Sequence, residues 1–160
     1  MQTVSASVEP RIHLDEPVMS VLRLKPPGVW SISPGSTVYE AIELMAEKRV
    51  GALVVLDEGK LQGIVSERDY ARKVILKSRH SQQTLVHEIM TAPVLSIGPQ
   101  ECIHECMRKM SSHRVRHLPV VDAGTVVGII SIGDVVNWII QSQEQTIQQL
   151  QSYITGAYPG

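Results

Sequence analysis

An internal repeat constrains this chain more than any other feature. Residues 29–71 align with residues 94–136 at a constant offset of 65 and without a gap, and 16 of those 43 positions are identical. The identities include Pro34/Pro99, Glu40/Glu105, Met45/Met110, Arg49/Arg114, Asp57/Asp122, Gly63/Gly128, Ser66/Ser131 and Asp69/Asp134. Apolar patterning alone does not hold one register for so long, so the repeat precedes any guess at the fold. A unit of about 45 residues buries little core by itself, whereas two copies packed sheet to sheet can. The expectation is one pseudo-symmetric domain rather than two independent ones.

Each copy reads as β-α-β-β-α. In the first, residues 29–32 form a short extended piece stopped by Ser33, Pro34 and Gly35. Ser36 is the expected N-cap of a helix that turns Val38, Ala41, Ile42 and Met45 inward. The apolar run 50–56 reads as a buried strand, Asp57-Glu58-Gly59-Lys60 as a turn, and 61–65 as the returning strand. Ser66 then caps a helix expected to reach about Leu76. The second copy has a strand at 94–97 and a helix with Ile103, Met107 and Met110 inward. It continues with strands at 118–121 and 126–130 and a helix from Ser131 through Ile139, Ile147 and Leu150. The fold class is α+β. The boundaries read as a leader at 1–17, expected to be partly disordered, repeats at 18–80 and 81–138, and a helical extension at 139–160. That extension holds six Gln in residues 141–151, and Ile147, Leu150 and Ile154 fall on one face, suited to capping the domain or touching another subunit.

Composition narrows the function classes. With 15 basic and 16 acidic side chains and a net charge of −1, the chain offers no global attraction for nucleic acid or an anionic membrane. No apolar run approaches the roughly 18 residues a membrane helix needs, and no secretory signal is visible, so a cytoplasmic setting is expected. Cys102 and Cys106 share a helix face while His104 points elsewhere. Their counterparts are Thr37 and Ala41, and neither a metal site nor a redox switch is expected. Motifs for dinucleotide binding, phosphate loops, zinc proteases and serine hydrolases are missing, so no enzyme activity is expected.

The chemistry lies in Gly63-Ile64-Val65-Ser66-Glu67-Arg68-Asp69 and Gly128-Ile129-Ile130-Ser131-Ile132-Gly133-Asp134. Each is a strand end entering a helix start, where free N–H groups and the helix dipole suit a phosphate. Ser66 or Ser131 adds a hydroxyl, and Asp69 or Asp134 a carboxylate that can accept from a ribose diol. The same Ser-x-x-Asp spacing is a capping box, which leaves a purely structural reading open.

Two β-α-β-β-α repeats, each ending in Gly-apolar-x-Ser-x-x-Asp, resemble a tandem pair of cystathionine-β-synthase (CBS) domains over roughly residues 18–138. Ile89-Met90-Thr91 and Leu118-Pro119-Val120-Val121-Asp122 strengthen the resemblance. It implies a flat module with a central cleft, adenosine ligands such as AMP, ADP, ATP, S-adenosylmethionine or NAD, a disc-like homodimer, and a sensor role toward an effector protein. By resemblance, Asp69 and Asp134 bind ribose, Ser66 and Ser131 help hold phosphate, and Arg116 and His117 reach the phosphates. Two-fold geometry then implies an adenine wall from Thr91, Pro93 and Val94 for the Asp69 site, and from Gly28, Val29 and Trp30 for the Asp134 site. Ile64, Ile129 and Ala52 complete the expected nucleotide-binding set.

Three further expectations follow. Among Arg68, Arg72, Lys73, Lys77 and Arg79, mostly a solvated helix face, Arg68 is the phosphate candidate. Arg116 and His117 face Gly51 and Ala52 in the alignment, so the clefts should be unequal, with tighter phosphate binding at the Asp134 site. Met45 with Ile42, and Met110 with Met107, are the candidate dimer faces. The alternative function is a structural or dimerisation module with no ligand.

Overall fold

The computed structural model describes residues 13–154. Residues 1–12 and 155–160, and the side chains of Thr146, Leu150, Tyr153 and Ile154, lie outside the described residues. The order of elements is α1 (Val18–Leu22), β1 (Ser31–Ile32), α2 (Val38–Lys48), β2 (Ala52–Asp57), β3 (Lys60–Ser66), α3 (Glu67–Tyr70), α4 (Val86–Ile89), α5 (Ile103–His113), β4 (His117–Asp122), β5 (Thr125–Ser131) and α6 (Ile132–Ile154). A π-helical turn, Ala71–Ile75, follows α3 directly.

The duplicated strands pair as the repeat requires. β2 and β3 are antiparallel through Asp57↔Lys60, and β4 and β5 through Asp122↔Thr125. Both hairpins turn on two residues with positive φ, Glu58 and Gly59 in one and Ala123 and Gly124 in the other. That backbone matches the natural twist of a hairpin. β1 adds in parallel to β2. Its counterpart is reduced to a single bridge, Ile97 to Val120, so the expected strand at 94–97 is not formed as such.

Four other expectations are corrected. Thr37, not Ser36, caps α2: its side chain accepts from the Glu40 N–H at 3.1 Å, and Glu40 accepts from the Thr37 N–H at 2.8 Å. The Ser36 carbonyl instead accepts from Val86. The helix after Ser66 keeps α geometry for only four residues before widening. Residues 13–16 are fastened rather than loose, because the Leu14 and Glu16 carbonyls accept from the His104 and Ile103 N–H groups of α5. Finally, Met45 is 1% exposed and Met110 4% exposed. Both serve their own cores, with Ile42 and Met107 packed against those cores, so neither pair is a free dimer face.

The two cores are built by exchange. One holds Val38, Ala41, Met45, Leu53, Val55 and Val65 from the first repeat, closed by Val86 and Ile89 of α4, at the head of the second repeat. The other holds Ile97, Ile103, Cys106, Leu118, Val120 and Ile130, closed by Val18 and Val21 of α1, at the head of the first repeat. Each short helix also satisfies backbone groups of the segment it covers, as in Val18 N–H to the Glu101 carbonyl at 2.8 Å. The repeated glycines lie under this exchange. A Cβ on Gly63 would fall 2.7 Å from Met90 Sδ and 2.9 Å from the Thr91 carbonyl oxygen, and one on Gly128 would fall 3.1 Å from Leu22. Only a residue without a side chain lets the linker lie so close to the strand.

Candidate functional site

Two clefts flank the paired hairpins, and each draws on both repeats. The Asp134 cleft encloses about 410 Å³ between Ile129, Ser131 and Asp134 of the second repeat and Gly28, Val29, Trp30, Gly51 and Ala52 of the first. The Asp69 cleft encloses about 370 Å³ between Ile64, Ser66, Arg68 and Asp69 of the first repeat, Thr91 of the linker, and Arg114, Arg116 and His117 of the second. Of the residues expected as walls, Gly28, Val29 and Trp30 lie on the Asp134 cleft and Thr91 on the Asp69 cleft. Thr91 is held beside the strand by a two-way bridge with Ile64. Pro93 and Val94 line neither cleft.

The helix starts are more occupied than the sequence implies. Both capping boxes form: Asp69 Oδ2 accepts from Ser66 N–H at 3.0 Å, and Asp134 Oδ2 from Ser131 N–H at 2.8 Å. The Ser66 and Ser131 hydroxyls accept in turn from Asp69 and Asp134 N–H. The leading N–H groups are also taken, Glu67 by the Gly51 carbonyl and Ile132 by the Arg116 carbonyl. Little of the helix terminus remains for a phosphate, so anion binding here depends on side chains.

The two carboxylates differ. Both oxygens of Asp69 are engaged: Ser66 Oγ also donates to Oδ2 at 3.0 Å, and Lys73 Nζ sits 3.0 Å from Oδ1. Lys73, expected on a solvated face, is thus a partner of the site, and it also donates to the Ile89 carbonyl at 2.8 Å. Asp134 places only Oδ2 in bonds, the second from Lys25 Nζ at 2.8 Å, while Lys25 also donates to the Ile129 carbonyl at 2.7 Å. Among the described residues Asp134 Oδ1 has no protein partner, and the Ser131 hydroxyl proton remains available. A ribose diol therefore meets a less engaged carboxylate at Asp134 than at Asp69.

Arg116 corrects the expected asymmetry. It lines the Asp69 cleft and not the Asp134 cleft. The whole approach to β4, from His113 to Arg116, runs along the Asp69 cleft. His117, one residue on, lines both clefts. Arg72 joins Arg68 on the Asp69 cleft, whereas Arg79 turns away to Glu88 at 2.6 Å. Trp30 is 44% exposed, and one face of its ring is covered by the Lys48 ammonium, 4.3 Å from the ring centre. A stacking base has only the other face.

Three contributors escaped the sequence reading. Arg49 and Arg114 are identical across the repeat, and each closes its helix in the left-handed region, with φ of 56° and 53°. Glycine is the usual residue there, so arginine at both equivalent positions was a readable signal. Lys25 carried none, because the alignment pairs it with Met90. Of the two thiols, Cys102 occupies the N-cap position of α5, and Cys106 is fully buried, which pushes its thiol up to about 11. Such a thiol is a core side chain rather than a reactive one.

Burial lowers the His117 pKa; Asp134 opposes this, while Lys25, Arg116 and Arg68 reinforce it. The folded chain therefore holds the imidazole neutral where an unfolded chain would protonate it. The stability from this difference is complete above about pH 6.5 and is lost as pH falls below it. The thermal midpoint should drop on going from about pH 7.5 to about pH 5.5, and His117→Gln should flatten that drop. An unchanged slope in the variant would assign the effect to other groups.

A family model for the CBS domain matches residues 12–76 and 86–141, and the chain belongs to this family, as a tandem pair of CBS domains. It is 39% identical over 127 residues to the CBS domain-containing protein CBSX3, mitochondrial, of Arabidopsis thaliana. That match covers 76% of this chain and 62% of the relative, so the chain spans less than two thirds of that protein. Among solved structures, a protein with CBS domains from Burkholderia ambifaria has a TM-score of 0.77 and 48% identity, covering 79% of this chain and 96% of that one. A CBS domain protein from Pyrobaculum aerophilum, complexed with AMP, has a TM-score of 0.65 and 28% identity over 74% of this chain and 88% of that one. Among the described residues no helix is long and apolar enough to cross a membrane.

Proposed function

We propose that this chain is a regulatory module that binds adenine nucleotides (AMP, ADP, ATP or NAD) between its repeats and reports their occupancy to a partner protein. The observation that carries the reading is the composite build of the clefts. Each sets the Asp of one repeat's Ser-x-x-Asp against a wall and cations from the other repeat. The AMP complex of the Pyrobaculum aerophilum neighbour supports the ligand class. A ligand that touches both repeats favours one arrangement of them and shifts the population toward it. The module in this reading is residues 18–80 and 81–138, with α6 continuing from 139 to Ile154 as a helical arm, and it is a binder rather than a catalyst. Its setting is a reducing compartment, the cytoplasm in the simplest case, in keeping with two free cysteines. It works as a homodimer, for which Val136, Ile140 and Ile147 on α6 offer exposed apolar surface.

A structural module without ligand is the second reading, favoured by the completed capping boxes. Thermal shift separates the two. A nucleotide at 100-fold its Kd should stabilise the fold by about 2.7 kcal/mol. No shift with AMP, ATP or NAD would leave the structural reading, and sedimentation as a monomer with and without nucleotide would remove the dimer from the proposal.

A further inference from the structure

Four guanidinium groups converge on the Asp69 cleft: Arg68, Arg72, Arg114 and Arg116. None of them forms an ion pair among the described residues. The acids of this cleft are Glu67 and Asp69, and Asp69 is already matched by Lys73. Arg68 donates to the Arg114 carbonyl at 3.2 Å, which ties the cationic edges of the two repeats together. Arg68, Arg114 and Arg116 also border an adjoining hollow floored by Met107 and Met110, so the charged lining continues beyond the cleft.

The Asp134 cleft is arranged differently although it is related by the repeat. Lys25 is consumed by Asp134, and Lys48 by Glu47 and the Trp30 ring. Arg49 is the one arginine on its lining. Ribose-binding capacity is distributed the opposite way: among the described residues Asp134 keeps one oxygen and Ser131 its hydroxyl proton without a partner, whereas both Asp69 oxygens and the Ser66 hydroxyl are engaged.

We propose that the Asp69 cleft is an oligophosphate site, which takes the di- or triphosphate tail of a nucleotide, while the Asp134 cleft selects the nucleoside. This rests on the nucleotide reading above. Arginine suits the task because its planar fork makes paired, charge-assisted bonds to phosphate oxygens, and unpaired arginines gain most from a multiply charged ligand.

Calorimetry with AMP, ADP, ATP and inorganic tripolyphosphate tests the assignment. One cleft should bind ATP about 10- to 100-fold more tightly than AMP, the worth of one added charged hydrogen bond. Tripolyphosphate, which has no base or sugar, should displace ATP from that cleft alone. Arg116→Ala and Arg72→Ala alter exposed side chains, and the thermal midpoint checks that each variant folds. Each should remove the preference for ATP and leave AMP binding at the other cleft unchanged, and Arg116→Lys should restore part of it. Equal affinity for AMP and ATP at both clefts, or ATP binding indifferent to both substitutions, overturns the assignment while leaving the nucleotide reading intact. Tripolyphosphate binding with no response to any nucleotide supports the anion site and overturns the nucleotide reading.

Discussion

Val21→Asp should disrupt the second core before the first, although Val21 lies at the head of the first repeat in sequence. Its side chain is 1% exposed and packs with Ile97, Ile103, Leu118, Val120, Ile130 and Trp138. The cluster around it is apolar, so the new carboxylate would lose its hydration. Such a burial costs several kcal/mol, comparable to the roughly 5–15 kcal/mol that holds a domain together. Trp138, 9% exposed, belongs to the same cluster and is a reporter of its integrity. In a Trp30→Phe background its emission should shift as the core opens. Amides of β4 and β5 should lose exchange protection ahead of those of β2 and β3. Val86→Asp should give the mirror result, because Val86 of α4 closes the first core. Earlier loss at β2 and β3 in the Val21 variant would refute the exchanged arrangement. Uniform loss would mean that the two cores open as one unit.

The contrast between α1 and β2 explains what the sequence makes legible. β2 and β4 announce themselves as apolar, β-branched runs ending at Asp57 and Asp122, and the fixed offset lets one strand vouch for the other. The hairpin turns are equally plain from Gly59 and Gly124. α1 and α4 are a single turn each, too short to show a period, and their place in the opposite core is a tertiary fact with no local signal. The Ser-x-x-Asp segments stand out by their repetition, but what their oxygens do is not readable from it. Asp69 is engaged by Lys73 one turn away, and Asp134 by Lys25, more than a hundred residues off in sequence. Arg116 shows the sharpest limit. Alignment identifies it as an unmatched charge, yet the cleft it enters is set by how the segment from His113 to Arg116 packs against the first repeat, a tertiary fact with no local signal.

Asp134→Ala should separate binding from capping at the site where the two are least entangled. Asp134 Oδ2 closes the capping box and receives Lys25, while Oδ1 is left for a ligand. Losing Oδ1 should weaken AMP at this cleft by about 1.5–3 kcal/mol, the worth of hydrogen bonds to a charged acceptor. Losing the cap at the head of α6 should cost about 1 kcal/mol of stability. Lys25 would keep its bond to the Ile129 carbonyl, so the wall it anchors should stay in place. Asp134→Asn refines the comparison. Its amide oxygen can still accept from the Ser131 N–H and should recover most of the lost stability. A neutral acceptor gives the ribose a weaker bond, and it no longer balances the Lys25 charge, so affinity should remain reduced. A variant pair in which stability falls and returns while AMP affinity never moves would reduce Asp134 to a helix cap. A pair in which affinity tracks the carboxylate and stability tracks the acceptor assigns the ribose to Oδ1.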